Sequence, residues 1–423
     1  MLVNKAYKYR LKLNQEQIGK CEAYAGHCRF LWNKFLQINL LRLRNKQKIM
    51  YYQEMDFFSK LYKNSTEYGF LAEAPAHCVQ QKLKDLEKAF KDCFDKTQPN
   101  KRLPRMRKKN IHDSFRFPEP KHLELDNNRI KLPKLGLVRF FKSRSIIGEI
   151  KNVTITKEGN HWYISICALT EIKQTSRQEL NTITTSSVGI DLGVKNFVTL
   201  STGEKIKSVN LYETYGKKLA ILQRRLAKKK KFSSNWKKAV LSINKLHRKM
   251  VHIRKDFINK VSTSLSKSHA MVVVEALLIK NMTKSSKGTL ETPGKNVKAK
   301  SGLNRSILSM GWGEFKGKLK YKLEWSGGTL IEVSPRFTSQ KCSKCEHIAK
   351  ENRKTQSIFC CVKCSHIEHA DVNAAKNVLA AAGHAVKACG ASAKSVSPLG
   401  VANSAAMKQE PTKSFARGNP LYL

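Results

Sequence analysis

The sequence predicts a multidomain α+β protein: a small β-barrel interrupted by a helical block, then a second sheet carrying acidic residues and a cysteine-rich insertion. Three observations lead there. Period-2 alternation at the N terminus returns only beyond residue 113, after a stretch of helical spacing, so strands from both ends of that stretch can share one sheet. Two buried-type runs, "VGIDLGVKNFVTL" (188–200) and "HAMVVVEALLI" (269–279), each carry a carboxylate where the pattern asks for another Val or Ile. Five of the 11 cysteines fall between 342 and 364.

A chain of 423 residues with 41% hydrophobic content can bury two or three cores. Its 80 Lys plus Arg face only 32 Asp plus Glu, a formal net charge of +48. Such a surface repels itself unless a polyanion neutralises it, which points to nucleic acid. A membrane surface fits less well, because no apolar run approaches the roughly 18–20 residues that span a bilayer, and no signal peptide opens the chain. No membrane partner is therefore expected, and the expected compartment is the cytosol or nucleoid of a prokaryote.

Residues 3–13, "VNKAYKYRLKL", alternate as a strand. Asn14 with Gln17 three residues on has the form of a capping box, which opens a helix. Helical spacing continues through 28–43 and 76–94, where Val79, Leu83, Leu86, Phe90 and Phe94 recur at three- and four-residue steps. The block ends in "NKRLPRMRKKN" (100–110), whose Pro104 and basic residues predict a loop or helix cap against phosphate. Arg105, Arg107, Lys108 and Lys109 are its candidate nucleic-acid contacts; a solvated charged loop is the competing reading. The runs 129–140 and 150–169 alternate as strands, with "KEGN" as a hairpin turn in the second. A polar linker follows at 175–187, and residues 188–200 read as one buried strand. A turn at 201–205 and a short strand come next.

Two long helices follow, the second striped by Trp236, Val240, Ile243, Leu246, Met250, Phe257, Val261 and Leu265 opposite a basic face. The run at 269–279 is a strand, and 282–302 has loop composition. A helix with Trp312, Phe315, Leu319 and Leu323 on one face leads into the strand "TLIEVS" (329–334).

Asp371 precedes Ala374, Ala375, Val378 and Leu379 and so stands near the start of a helix. Asp191 and Glu275 on strands and Asp371 at a helix start can meet at one end of a sheet. Each alone has a plainer reading as a strand end, an ion-pair partner or a helix cap. Unit charges about 4 Å apart repel by roughly 1 to 4 kcal/mol at effective dielectrics of 80 and 20, so a trio must take up protons or hold a cation. Mg²⁺ suits carboxylate oxygens, and one or two such ions would support in-line phosphodiester hydrolysis.

The pairs Cys342-x2-Cys345 and Cys361-x2-Cys364, 15 residues apart, have the spacing of a zinc ribbon with one structural Zn²⁺. Cys360 leaves the register of the second pair open, and His347, His366 or His369 could replace a ligand. The other six cysteines read as small hydrophobes.

The motifs "LPRMRKK", "IKLPKLG", "GIDLGVKNFVTLSTGE", "VVVEALLIKNM", "SPRFTSQKCSKC" and "FCCVKCSHIEHADVNAAKNVLAAAG", in that order, strongly resemble the TnpB family of transposon-encoded nucleases, ancestors of type V CRISPR effectors. The resemblance spans nearly the whole chain. It implies an RNA-guided DNA endonuclease with an RNase H-like (RuvC) α/β nuclease domain whose acids match Asp191, Glu275 and Asp371. It also implies a zinc-ribbon insertion and a wedge-type β-barrel carrying an inserted helical recognition domain. The implied division is 1–14 and 114–183 for the wedge, 15–113 for recognition, 184–335 and 369–385 for the nuclease, 336–368 for the zinc ribbon and 386–423 for a disordered tail.

The implied partners are a guide RNA from the transposon end and double-stranded target DNA beside a short adjacent motif, which Tyr52 and Gln80 would contact. The chain departs from the family at His369-Ala370, where many relatives have Asp-Arg, and at Ser365, where Gly is usual. Three rival functions use parts of the same sequence. They are a repressor that binds without cutting, an RNase H-class transposase, and a ribosome-associated zinc-ribbon protein.

Overall fold

The computed structural model describes residues 1–111, 113–172 and 187–388. The linker at 175–187, apart from Ser187, and the tail beyond 388 lie outside the described residues.

The first strand, β1 (Leu2–Lys12), runs directly into the 30-residue helix α1 (Gln15–Arg44). The capping box is present: Gln17 N donates to Asn14 Oδ1 (2.7 Å) and Asn14 N to Gln17 Oε1 (3.3 Å). Cys21, Tyr24, Cys28, Leu31 and Phe35 recur at alternating three- and four-residue steps, and all are buried. They pack with α3 (Ala76–Phe94) and α2 (Tyr52–Asn64), a helix the periodicity did not single out. Burial pushes the Cys21 and Cys28 thiols up to about 12 and about 11, as expected of inert small hydrophobes.

Strands β2 (Ser114–Phe117), β3 (Glu124–Asp126), β4 (Arg129–Leu132), β5 (Gly136–Phe140), β6 (Glu149–Glu158) and β7 (His161–Glu171) complete a seven-stranded sheet. Its order is β2-β6-β7-β1-β5-β4-β3. Strand β1 spans both halves, pairing β7 from Leu2 to Arg10 and then β5 at Leu11 and Lys12. The helical block is therefore inserted between strands of one sheet. The run 129–140, expected as one strand, is a hairpin. Pro133 cannot donate to a ladder, and Lys134 (φ 60°) and Gly136 (φ 77°) turn the chain.

A second sheet has the order β10-β9-β8-β11-β12, built from β8 (Ser187–Asp191), β9 (Asn196–Leu200), β10 (Lys205–Lys207), β11 (Met271–Glu275) and β12 (Thr329–Val333). β8, β11 and β12 are parallel, and β8-β9-β10 form an antiparallel meander. The run 188–200 is thus two strands rather than one. Gly193 lies in the turn, where a Cβ would stand 2.7 Å from the Asn196 carbonyl oxygen. Asp191 accordingly ends a strand instead of interrupting one.

Helices α4 (Leu211–Ala227) and α5 (Ser234–Ser268) form a long hairpin whose seam holds Leu211, Leu219, Ile243, Leu246 and Met250. Helices α6 (Val297–Met310) and α7 (Trp312–Trp325) follow, so α6 begins inside the stretch assigned to loop. Helix α8 (Ala370–Ala388) is the last element among the described residues.

Strand alternation divides the second sheet's faces. Val188, Ile190, Val272 and Val274 pack with Phe315, Leu319 and Leu323 of α7 and with Ile258, Val261 and Leu265 of α5. Val273 and Val333 pack on the other side with Val378 and Ala382 of α8. The sheet is the middle of three layers. Among the described residues no helix is long and apolar enough to cross a membrane.

Candidate active site and cysteine cluster

Period-2 alternation sets the positions of the acids. Gly189 faces α8, so Asp191 two residues on does too; Val273 faces α8, so Glu275 does too. The parallel register pairs Gly189 with Val273 and Ile190 with Val274. Asp191 therefore lies beside Glu275 on neighbouring strands, which run about 4.8 Å apart. Asp371 stands in the first turn of α8, where the helix dipole favours an anion.

Gly189 permits this meeting: a Cβ there would lie 2.1 Å from the Ala375 carbonyl oxygen, one turn beyond Asp371. Burial, then the charges of Glu275 and Asp371, push the Asp191 carboxyl up to about 7, partly offset by Arg353. Glu275 is also raised, by burial, against a hydrogen bond from Thr338. The structure brings the three acids together. Asp191 feels the charge of both other acids, and carboxylate oxygens are the hard donors a divalent cation of the Mg²⁺ type takes, although among the described residues only the cysteines below have ligand atoms all within 4.8 Å of one another.

Two side chains that the periodic patterns did not single out reach these acids from the cysteine-bearing segment. Thr338 Oγ1 donates to Glu275 Oε1 at 2.6 Å, and both residues are buried. Arg353 Nη2 lies 3.7 Å from Asp371 Oδ1. An arginine thus stands beside the third acid although the chain lacks one immediately before it.

The four sulfurs of Cys342, Cys345, Cys361 and Cys364 lie within 4.8 Å of one another. Cys345–Cys361 are 3.5 Å and Cys342–Cys364 3.7 Å apart, sulfur to sulfur. A tetrahedron with Zn–S of about 2.3 Å has sulfurs about 3.8 Å apart, so the cluster could hold zinc. All four are free thiols. For Cys361, burial raises the thiol, but the Cys364 and Lys363 amides and the neighbouring thiols outweigh it and lower it to about 6, which suits a metal-binding thiolate.

The two pairs are built alike. Cys342 N donates to the His347 carbonyl and Glu346 N to Cys342, while Cys361 N donates to His366 and Ser365 N to Cys361. Cys360 falls in β13 (Ile358–Cys360), paired with β14 (Ile367–His369), outside the cluster. The three histidines lie outside it as well; His366 faces Glu368 and His369 faces Asp371.

The basic segment at 100–110 is strapped to α1. Arg107 stacks on the Trp32 ring at 3.8 Å, its backbone exchanges two hydrogen bonds with Asn33, and Trp32 Nε1 donates to the Arg105 carbonyl. Arg105, Lys108 and Lys109 are left exposed. Tyr52, which opens α2, lies under Lys84 Nζ at 4.8 Å, and Gln80 stands one turn before Lys84 on α3.

With this geometry established, similarity to known proteins assigns the class. Residues 169–286 match the family described as "Probable transposase", 312–378 the family described as "Cas12f1-like, TNB domain", and 1–48 that described as "Helix-turn-helix domain". Over 1–48 the structure has a strand and one helix, without a second helix across a turn. The chain belongs to the TnpB family of transposon-encoded proteins.

It is 43% identical to "Putative RNA-guided DNA endonuclease InsQ" of Escherichia coli (strain K12), over 96% of this chain and 97% of that one. It is 28% identical to "Putative RNA-guided DNA endonuclease" of Streptomyces pristinaespiralis over 98% of each. Among solved structures, "Cryo-EM structure of CasPhi-2 (Cas12j) bound to crRNA" aligns over 89% of this chain and 97% of that one, at 11% identity and a TM-score of 0.45.

Proposed function

We propose that this protein is an RNA-guided DNA endonuclease that hydrolyses phosphodiester bonds of double-stranded DNA beside a short adjacent motif, using a guide RNA from the transposon end. Asp191, Glu275 and Asp371 are its catalytic acids and the ligands of one or two Mg²⁺ ions. Cys342, Cys345, Cys361 and Cys364 hold one structural Zn²⁺. The second sheet and its helices belong to the RNase H-like (RuvC) nuclease, assigned to 184–335 and 369–385, with the zinc ribbon at 336–368 inserted. The first sheet, 1–14 and 114–183, is the wedge barrel, and 15–113 is the recognition domain. Tyr52, Gln80, Arg105, Lys108 and Lys109 contact nucleic acid, and Arg107 holds its strap in place.

The observation that carries this reading is the meeting of two strand-end acids and a helix-start acid on one face of the sheet, in a chain 43% identical to a relative named as an RNA-guided DNA endonuclease. Bound divalent ions would supply charge neutralisation and an activated water. The chain's own residues fix where that chemistry happens. Strand ends hold Asp191 and Glu275 rigidly, α8 brings Asp371 to them, and Arg353 adds a positive charge to which a phosphate oxygen could bind.

The test is to sequence the RNA that copurifies with the protein, then to offer the complex a matched plasmid with Mg²⁺. Cleavage by wild type and none by Asp191→Ala is the expected result. Tight binding without cleavage by either protein would favour a repressor. Joined strands formed without RNA would favour a transposase.

A further inference from the structure

The segment leading into the first cysteine pair does more than join a metal knot to the sheet. It is clamped to α8 by two buried asparagines one turn apart. Asn377 Nδ2 donates to the carbonyls of Thr338 (2.9 Å) and Lys341 (2.6 Å). Asn373 Nδ2 donates to the Lys341 carbonyl (2.9 Å), and its Oδ1 accepts from Ser343 N (2.9 Å). Both asparagines are almost fully buried, at 0% and 5% exposure, so their amide groups cannot turn to water instead. The helix that carries Asp371 thereby fixes the backbone at Thr338, and the Thr338 hydroxyl in turn holds Glu275 at 2.6 Å. Two of the three acids are linked through one network that passes along the root of the cysteine cluster.

A threonine hydroxyl has a single proton to give. Two acceptors lie within reach, the Glu275 carboxylate oxygen at 2.6 Å and the Pro335 carbonyl at 3.1 Å, and the shorter, charged partner is the stronger. With one oxygen held, the carboxylate cannot rotate freely about its own axis.

We propose that Thr338 is a positioning residue that orients the Glu275 carboxylate toward the divalent ion, with Asn373 and Asn377 registering it against Asp371. This rests on the metal-dependent nuclease reading above. It assigns the root of the cysteine-bearing segment a part in metal binding, in addition to any contact that segment makes with nucleic acid.

Thr338→Val keeps the shape and removes the donor; Thr338→Ser keeps the donor. In the RNA-loaded complex, Thr338→Val is expected to raise the Mg²⁺ concentration for half-maximal cleavage by about 10- to 100-fold, the range typical when a metal ligand is deprived of its hydrogen-bond partner. The Mg²⁺-dependent rise in melting temperature should move to higher Mg²⁺ by a similar factor, while target-DNA affinity measured without Mg²⁺ stays unchanged. Thr338→Ser should restore both metal readouts. If Thr338→Val does not fold, Thr338→Ala, which cannot overfill the site, takes its place.

Unchanged metal dependence in a folded, donor-free variant would overturn the proposal, as would a loss confined to DNA affinity. Glu275→Gln and Asp191→Ala in parallel separate the two levels. If they are inactive while Thr338→Val is normal, the positioning role alone falls; if they cut like wild type, the nuclease site itself is misassigned.

Discussion

Ser365 occupies a backbone position with φ 53°, and Glu346, its counterpart after the first cysteine pair, has φ 61°. Both follow the second cysteine of a Cys-x2-Cys turn, where the left-handed residue donates its amide to the first cysteine's carbonyl and the next carbonyl, of His347 or His366, accepts from the first cysteine's amide. A non-glycine residue there costs roughly 1–2 kcal/mol, and glycine gives back part of that through its freer unfolded chain. Ser365→Gly is therefore expected to stabilise the cysteine-bearing unit by about 0.5–1 kcal/mol, read as a higher denaturation midpoint. The cysteine pairs were legible because their spacing is local and chemically distinctive. Thr338 and Arg353 were not, because a single threonine or arginine in a loop has no periodic signature; their partners lie 63 and 18 residues away along the chain.

At the level of elements, Gly189 decides how closely α8 approaches the sheet. An added Cβ would meet the Ala375 carbonyl oxygen at 2.1 Å and Leu379 Cβ at 2.8 Å, both belonging to a packed helix that cannot yield locally. Overpacking of this kind typically costs about 1–3 kcal/mol. Because α8 would have to move outward with Asp371, Gly189→Ala should lower cleavage by far more than its loss of stability explains. Parallel melting and plasmid-cleavage measurements test this.

The packing of α5 against α7 gives a second expectation. Lys322 Nζ donates to the Asn259 carbonyl (2.9 Å), Ser262 Oγ (2.7 Å) and Thr263 Oγ1 (2.7 Å), and burial followed by the Lys318 charge lowers it to about 8. An unfolded lysine holds its proton to about 10.4. Between those values the unfolded chain binds more protons than the folded one, so stability is expected to rise with pH from about 8 to 10. Lys322→Met should flatten that slope in denaturant titrations at fixed pH.

Across the whole molecule the positive charge dominates. Binding to nucleic acid is expected to weaken by about 10³-fold or more between 50 and 200 mM salt if six to ten phosphates are neutralised. Replacing the exposed Arg105, Lys108 and Lys109 together with Ala should reduce the slope of log affinity against log salt by roughly one for each phosphate left without its cation. Arg107→Ala, which removes a cation stacked on Trp32, should instead lower the stability of the strap. Equal salt slopes for the triple variant and wild type would remove that segment from the binding surface.

The sequence by itself determined the partner class, the cysteine cluster, most helices and the presence of misplaced carboxylates. Each of these is a local property: a charge count, a spacing or a period. Only the tertiary structure decided that 129–140 and 188–200 are hairpins, because one proline, one glycine or one left-handed residue breaks a ladder without disturbing its alternation. It alone placed the three acids on one face of a sheet and linked two of them through Thr338, Asn373 and Asn377. Strand order, and the close approach that Gly189 allows, are relations between distant segments, and hydrophobic periodicity carries no information about which segments meet.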